Sequence, residues 1–247
     1  MGKSRTSRCC CDNFFLKTTM AIFLRPFFWM HDGVTKLVRQ YYREIKIALL
    51  LVAHASLFGL LFPELRNSFG EWARNLLIVL LFASPLSRIF PIAFFQLLMG
   101  MRRELGILFA YLVTVHGVGY LIDPLWFPLP LVTYAHAPLL IEPVVLLGIA
   151  AYILTLPLLV TSNMISMRLL KGRWKTLHRL VYLVFVLGML HAFVIRQPSG
   201  VWEALLVLGV YAALKMLARY PNIAPIVSFK RAVAEEYGRY VLSKQGK

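Results

Sequence analysis

The sequence predicts an all-α membrane protein, a six-transmembrane helix bundle with both termini in the cytoplasm, and three observations support this prediction. Hydrophobic residues make up 59% of the 247 residues and the mean hydropathy is +0.69, which is too apolar for an ordinary soluble domain. Apolar runs long enough to cross a bilayer recur along the chain. The basic residues concentrate in alternate loops, which is the pattern of a multi-pass membrane protein.

The apolar runs place the six spans in order along the chain. Each run is interrupted by few charges and is bounded by basic or proline-containing segments, near 46–62, 72–90, 105–122, 141–161, 176–195 and 201–217. The sixth span is the weakest, because it contains Glu203 and Lys215.

The orientation of the bundle follows from its lysines and arginines. Nine of these residues occur up to Lys46 and seven from Lys215 onward. The loops after the second and fourth spans contain Arg88, Arg102, Arg103, Arg168, Lys171, Arg173 and Lys175. The opposite side holds only Arg66, Arg74 and Arg196. The positive-inside rule therefore predicts cytoplasmic termini and an even number of spans.

The basic ends of the chain flank the bundle and divide it into three parts. We predict a basic cytoplasmic segment over 1–44, a transmembrane domain over 45–218 and a basic cytoplasmic tail over 219–247. Residues 14–30 are apolar but contain two basic residues and a proline, which indicates an interfacial helix with a seventh span as the alternative.

Charge and cysteine usage narrow the function classes. The net charge of +16 would suit nucleic acid, but its position in alternate loops indicates membrane lipid instead. The three cysteines, Cys9, Cys10 and Cys11, are adjacent and lack the spacing of a zinc or redox pair. The sequence also lacks a glycine-rich phosphate loop and an evident nucleophile–base pair.

Two histidines in one apolar run are the most informative feature of the sequence. His178 and His191 are thirteen residues apart, which is about 20 Å along a helix and most of a hydrocarbon core of about 30 Å. A histidine at membrane depth is usually functional, and imidazole is the commonest metal ligand. The orientation puts His178 near the cytoplasmic face and His191 near the outer face.

A third histidine reaches the depth of His191 on another span. His116 follows Arg103 by thirteen residues, so it also lies near the outer face, as bis-histidine ligation of one haem iron requires. His178 has no partner at its own depth on the third span, and His54 is the only other histidine predicted in the inner half. An inner haem on His178 therefore has an unsettled sixth ligand, for which His54 is the candidate. Hydrogen bonding to neighbouring helices is the alternative role for each histidine.

The stretches around these histidines resemble the ferric-reductase-like transmembrane family. The similarity rests on Arg102–Gly106 followed by His116, on Thr161-Ser162 after Pro157, and on Gly172–Tyr182 followed by His191. It covers roughly 45–218 and is greatest to haem-binding membrane subunits of periplasmic methionine sulfoxide reductase systems.

The resemblance implies one or two b-type haems, ligated by His116, His178 and His191, in a multi-pass protein of the bacterial inner membrane. It implies outward electron transfer from a cytoplasmic flavin donor, with FMN or a flavin reductase, or from quinol. The acceptor would be a periplasmic molybdopterin-containing reductase subunit, so we expect an electron-transfer subunit rather than a complete enzyme. The chain departs from the family pattern at Glu142 and Ala192, which leaves other acceptors open, such as a metal or a quinone.

Four further residues are candidates to contact a haem propionate or a flavin phosphate. These are Arg102, Arg103, Arg173 and Trp174, whose alternative roles are setting topology and anchoring the interface. An alternative from another class is a haem-free transporter or scaffold in which the histidines pack helices. Transporters commonly have broken helices or paired halves, and neither is evident in the sequence.

Overall fold

The computed structural model describes residues 32–90, 93–121, 143–195, 200–220 and 224–245. Within these residues the secondary structure is helical and contains no β-strand, which confirms the all-α prediction. The predicted interfacial helix over 14–30 lies outside the described residues. The three-part division of the chain stays a prediction.

The described residues form a succession of α-helices. In chain order they are α1 (32–40), α2 (Tyr42–Ser56), α3 (Arg66–Ile89), α4 (Ala93–Gly100), α5 (Arg102–Leu121), α6 (Pro143–Val160), α7 (Met164–Leu170), α8 (Gly172–Leu177), α9 (Leu180–Val194), α10 (Gly200–Arg219) and α11 (Ala224–Gln245). Two short 3₁₀ helices, Leu57–Leu61 and Pro63–Leu65, connect α2 to α3.

Four described helical segments are long and apolar enough to cross a membrane, namely Tyr42–Leu61, Arg66–Ile89, Gly172–Val194 and Gly200–Arg219. A fifth is added if α6 and α7, which are bent by 91° relative to each other, are taken as one span. The predicted third span corresponds to α5, whose first turn carries Arg102, Arg103 and Glu104 and which is not among these segments. The count of six spans and the side of the termini stay predictions.

The bundle is centred on α3, α5 and α9. Helix α3 packs on α5, α9 and α10, while α6 packs on both α5 and α9, and α2 covers α5. The central side chains include Leu81 of α3, Val115 of α5, and Phe185 and Met189 of α9, which are almost completely buried. The outward faces are equally apolar, with Phe58 among the exposed side chains, as expected of a surface that faces lipid.

The sixth predicted span contains a lysine, and the structure gives that lysine a partner. Lys215 of α10 lies over the ring of Tyr182 on α9, with Nζ 3.5 Å from the ring centroid. A cation over an aromatic face keeps a favourable electrostatic contact while its stem remains in an apolar helix. The charge that weakened the sequence prediction is therefore compensated within the bundle.

The fifth predicted span is not a uniform α-helix. Its backbone tightens at His178 and Arg179, where the N–H groups of Arg179, Val181 and Tyr182 donate to the carbonyl three residues earlier. This turn separates α8 from α9 and changes the angular relation between His178 and the residues that follow. His178 thus lies at a helix junction rather than inside a continuous helix.

Candidate functional site

The structure brings His116 of α5 and His191 of α9 together. Their rings are half-buried, with centroids 6.3 Å apart and planes inclined at 65°. Two imidazoles on opposite sides of one metal ion have ring centres roughly 6 Å apart, since each bond to nitrogen is about 2 Å long. The spacing therefore fits two histidines that would together hold one haem iron.

Each of these two rings lies against a glycine on a neighbouring helix. A Cβ added to Gly70 of α3 would lie 2.7 Å from Nδ1 of His116. A Cβ added to Gly148 of α6 would lie 2.7 Å from Cε1 of His191. The two imidazoles therefore occupy a cradle that any larger residue at either position would fill.

A backbone carbonyl fixes the orientation of the His116 ring. Nδ1 of His116 lies 2.9 Å from the carbonyl oxygen of Arg66, at the beginning of α3. Because a carbonyl only accepts hydrogen bonds, Nδ1 carries the proton and Nε2 keeps its lone pair for a metal. This arrangement is the one usually found around metal-bound histidines.

Sequence reasoning missed the residues that surround this carbonyl. The guanidinium group of Arg66 donates to the carbonyl oxygen of Gly119, at 3.1 Å, and lies over the ring of Tyr120. The Tyr120 ring in turn meets His116 edge to face and its hydroxyl donates to Asn67. The sequence contains one indication of this arrangement. Arg66 precedes Gly70 by four residues, so the two residues lie on the same face of the first turns of α3.

His178 has a different environment at the opposite end of the bundle. Its Nδ1 donates to the carbonyl oxygen of Trp174, at 3.1 Å, and its ring stacks on the Trp174 indole with centroids 3.9 Å apart. Its Nε2 is buried and has no hydrogen-bond partner among the described residues. A buried nitrogen with a free lone pair fits a metal ligand, since leaving it unpaired otherwise costs stability.

The structure does not bring His54 to His178. His54 is exposed on α2, where its Nδ1 donates to the carbonyl oxygen of Leu50 and its ring lies 5.1 Å from that of Tyr111. Within the described part of the chain, no three histidine, cysteine or acidic side chains meet as a metal-binding group. The sixth ligand of an inner haem is therefore not apparent in this arrangement.

The four predicted cofactor contacts lie at the His178 end of the bundle. Nε of Arg103 donates to the carbonyl oxygen of Ser162, and the Trp174 indole donates to that of Thr161. Both residues therefore tie their helices to the turn after α6. Arg102 is half-buried and Arg173 is exposed. Their contact with a propionate or a flavin phosphate stays a prediction.

Comparison with known proteins gives a family and named relatives. The family described as ferric reductase like transmembrane component matches residues 69–189. Three bacterial relatives carry the name protein-methionine-sulfoxide reductase heme-binding subunit MsrQ. The relative from Agrobacterium fabrum is 33% identical over 169 residues, which are 68% of this chain and 74% of that protein.

The other two relatives give a similar result over shorter stretches. The relative from Rhizobium meliloti is 36% identical over 52% of this chain and 56% of its own length. The relative from Xanthomonas axonopodis pv. citri is 32% identical over 61% and 66%, respectively. The matched stretch thus spans between about half and three quarters of these relatives. No solved structure matches the chain.

Proposed function

The chain belongs to the ferric-reductase-like transmembrane family, and we propose that it is a haem-binding membrane subunit that transfers electrons across the bilayer. The observation that carries the proposal is the His116–His191 pair, which joins two helices at 6.3 Å between ring centroids. The glycine cradle supports it, because the two glycines leave each imidazole room to lie against a neighbouring helix.

The protein's part in the chemistry is to hold and orient the iron ligands. A bound haem supplies reversible one-electron exchange between ferric and ferrous iron. Helices α5 and α9 present Nε2 of His116 and the ring of His191, and the Arg66 carbonyl holds the tautomer of His116. The buried side chains Val115 and Met189 flank this level of the bundle and exclude water. The haem is b-type in this proposal, because the sequence has no Cys-x-x-Cys-His attachment motif.

A second haem, ligated by His178, completes the proposed route. The buried Nε2 of His178 and the Trp174 ring beside it support this site. His178 and His191 are thirteen residues apart, which is about 20 Å along a helix, so two centres would span most of the hydrocarbon core. Arg102, Arg103 and Arg173 lie at the same end and are proposed to contact acidic groups of haem or FMN.

The names of the relatives support the proposed acceptor. Their name includes a methionine sulfoxide reductase, so the proposed acceptor is a periplasmic molybdopterin-containing reductase of that kind. The proposed donor is a cytoplasmic flavin reductase or quinol. The basic loops support six spans with both termini in the cytoplasm. The bacterial relatives support the inner membrane as the proposed location.

The experiment is a reduced-minus-oxidised absorption spectrum of the purified protein, from cells supplied with haem, together with the haem content per chain. We expect a b-type spectrum for the natural protein. His116→Ala should lose the haem held by the His116–His191 pair, because one of the two residues that would hold the iron is removed.

The matched control is His54→Ala, which removes an exposed histidine that contacts neither ring of the pair. It should keep the natural haem content. A protein without any haem signal would contradict the proposed function. Equal haem content in His116→Ala and in the natural protein would contradict the ligand assignment.

A further inference from the structure

Arg66 is a buried arginine at the end of the bundle that contains the histidine pair. Only 9% of its surface is exposed, and it is the first residue of α3. Arginine is rarely buried without specific partners. The partners of Arg66 include residues of the last two turns of α5, the helix that also carries His116.

Arg66 ties α3 to α5 through both its backbone and its side chain. Its carbonyl oxygen accepts the hydrogen bond from Nδ1 of His116 at 2.9 Å. Its guanidinium group donates to the carbonyl oxygen of Gly119 at 3.1 Å, where the negative end of the α5 dipole favours a cation. One residue therefore fixes the His116 ring and also the helix turn that follows it.

The space for this contact depends on a glycine. A Cβ added to Gly119 would lie 2.9 Å from both Cγ and Cδ of Arg66, so a side chain there would displace the arginine. The absence of a side chain at Gly119 lets the aliphatic stem of Arg66 lie directly on the backbone of α5.

The charge of Arg66 is separated from His116 by a single aromatic ring. The guanidinium carbon is 5.4 Å from the centroid of Tyr120, and that centroid is 5.3 Å from the centroid of His116. A positive charge on this side of His116 disfavours additional positive charge on a bound metal. It therefore favours the ferrous over the ferric form of a haem iron.

We infer that Arg66 is the positioning residue of the His116–His191 centre, and that its charge raises the midpoint potential of the haem. The inference rests on the haem proposed above. Arg66 acts through the orientation of His116 and through its field, without serving as a ligand.

The test measures midpoint potential and the electron paramagnetic resonance spectrum in Arg66→Gln and Arg66→Lys. Both variants keep the backbone carbonyl that holds His116, so the haem should stay bound with two imidazole ligands. Arg66→Gln removes the charge and should shift the potential to a more negative value. Arg66→Lys keeps the charge and should restore most of the potential.

Arg88→Gln is the matched control, because it removes one positive charge from the same helix. Arg88 is exposed in the last turn of α3, which is about 33 Å from Arg66 along the helix. It should shift the potential less than Arg66→Gln. Equal shifts in the two variants, or an unchanged potential in haem-loaded Arg66→Gln, would overturn the inference.

A second variant covers the case in which Arg66→Gln does not accumulate. Gly119→Ala displaces the arginine without removing it, so the potential should again become more negative, and an unshifted potential would overturn the inference. The natural protein is measured first. A natural protein without haem would refute the proposed function, whereas haem with an unmoved potential refutes only the role of Arg66.

Discussion

The His116 end and the His178 end of the bundle each hold a half-buried imidazole whose Nδ1 donates to a backbone carbonyl, but the two carbonyls differ in origin. The carbonyl that orients His116 belongs to Arg66, fifty residues away in the sequence and on another helix. The carbonyl that orients His178 belongs to Trp174, four residues earlier. The first site is built by tertiary packing and the second by local structure.

The two ends also differ in what faces the free side of the imidazole. His116 has His191 opposite it and a glycine behind each ring. His178 has a tryptophan stacked on it, and its buried Nε2 has no protein partner among the described residues. The His116 end therefore has two proposed ligands that face each other, whereas the His178 end offers one proposed ligand.

The largest expected effect separates the two centres by removing one ligand from each. His191→Ala should lose the haem of the paired site and keep a haem held by His178. His178→Ala should lose the other haem and keep the low-spin spectrum of two imidazole ligands, since the pair is intact. Haem content and electron paramagnetic resonance spectra of both variants give the measurement. Loss of all haem in both variants would contradict independent centres.

The second-largest expected effect tests whether haem binding at the His116–His191 pair depends on the two glycines beside its rings. In Gly70→Ala and Gly148→Ala the new methyl group would meet the His116 or His191 ring at 2.7 Å, so the ring must move. Because the displaced atoms belong to a side chain, the fold should persist while haem affinity falls roughly 10–100-fold, as for other changes around metal ligands. Haem titration into the purified apoprotein measures this affinity.

Gly188→Ala is the control for the cradle variants. Gly188 lies within α9, and a Cβ there would meet no atom within 4 Å. Haem affinity should stay unchanged, and helix propensity predicts a gain in stability of up to about 1 kcal/mol. If Gly188→Ala weakened haem binding as much as Gly148→Ala, the cradle would have no specific role.

The difference between the two ends also explains what the sequence could predict. Hydropathy and basic loops locate helices, so the all-α class and most span positions follow from composition and spacing. Counting residues from Arg103 placed His116 at the depth of His191, because distance along a helix is proportional to residue number. His178 was recognised as a histidine without an evident partner for the same reason.

The rest of the site depends on contacts between helices, which single-sequence patterns do not contain. The fit of Gly70 and Gly148 against the imidazoles, and of Arg66 against Gly119, requires helix rotations that hydropathy leaves undetermined. The tightened turn at His178 also escaped prediction, since its residues have ordinary helical composition. Glycine opposite histidine on separate helices is visible only once the bundle is assembled.

The smallest expected effect tests the local construction of the His178 end. Trp174→Phe keeps an aromatic ring beside His178 and removes the indole donor to the Thr161 carbonyl, a hydrogen bond of 2.9 Å. Losing it should cost about 1 kcal/mol and lower Tm by roughly 2–4 °C. The haem content should stay unchanged, because Nδ1 of His178 bonds to the backbone of residue 174.

Trp174→Ala is the companion variant, since it removes the stacking ring as well. It should weaken the haem held by His178 and leave the spectrum of the His116–His191 pair unchanged, because the two ends share no helix turn. Thermal melts and haem content of the two variants separate the hydrogen bond from the stack. Full haem content in Trp174→Ala would show that the stack does not position His178, and the Nδ1 bond to the backbone would then suffice.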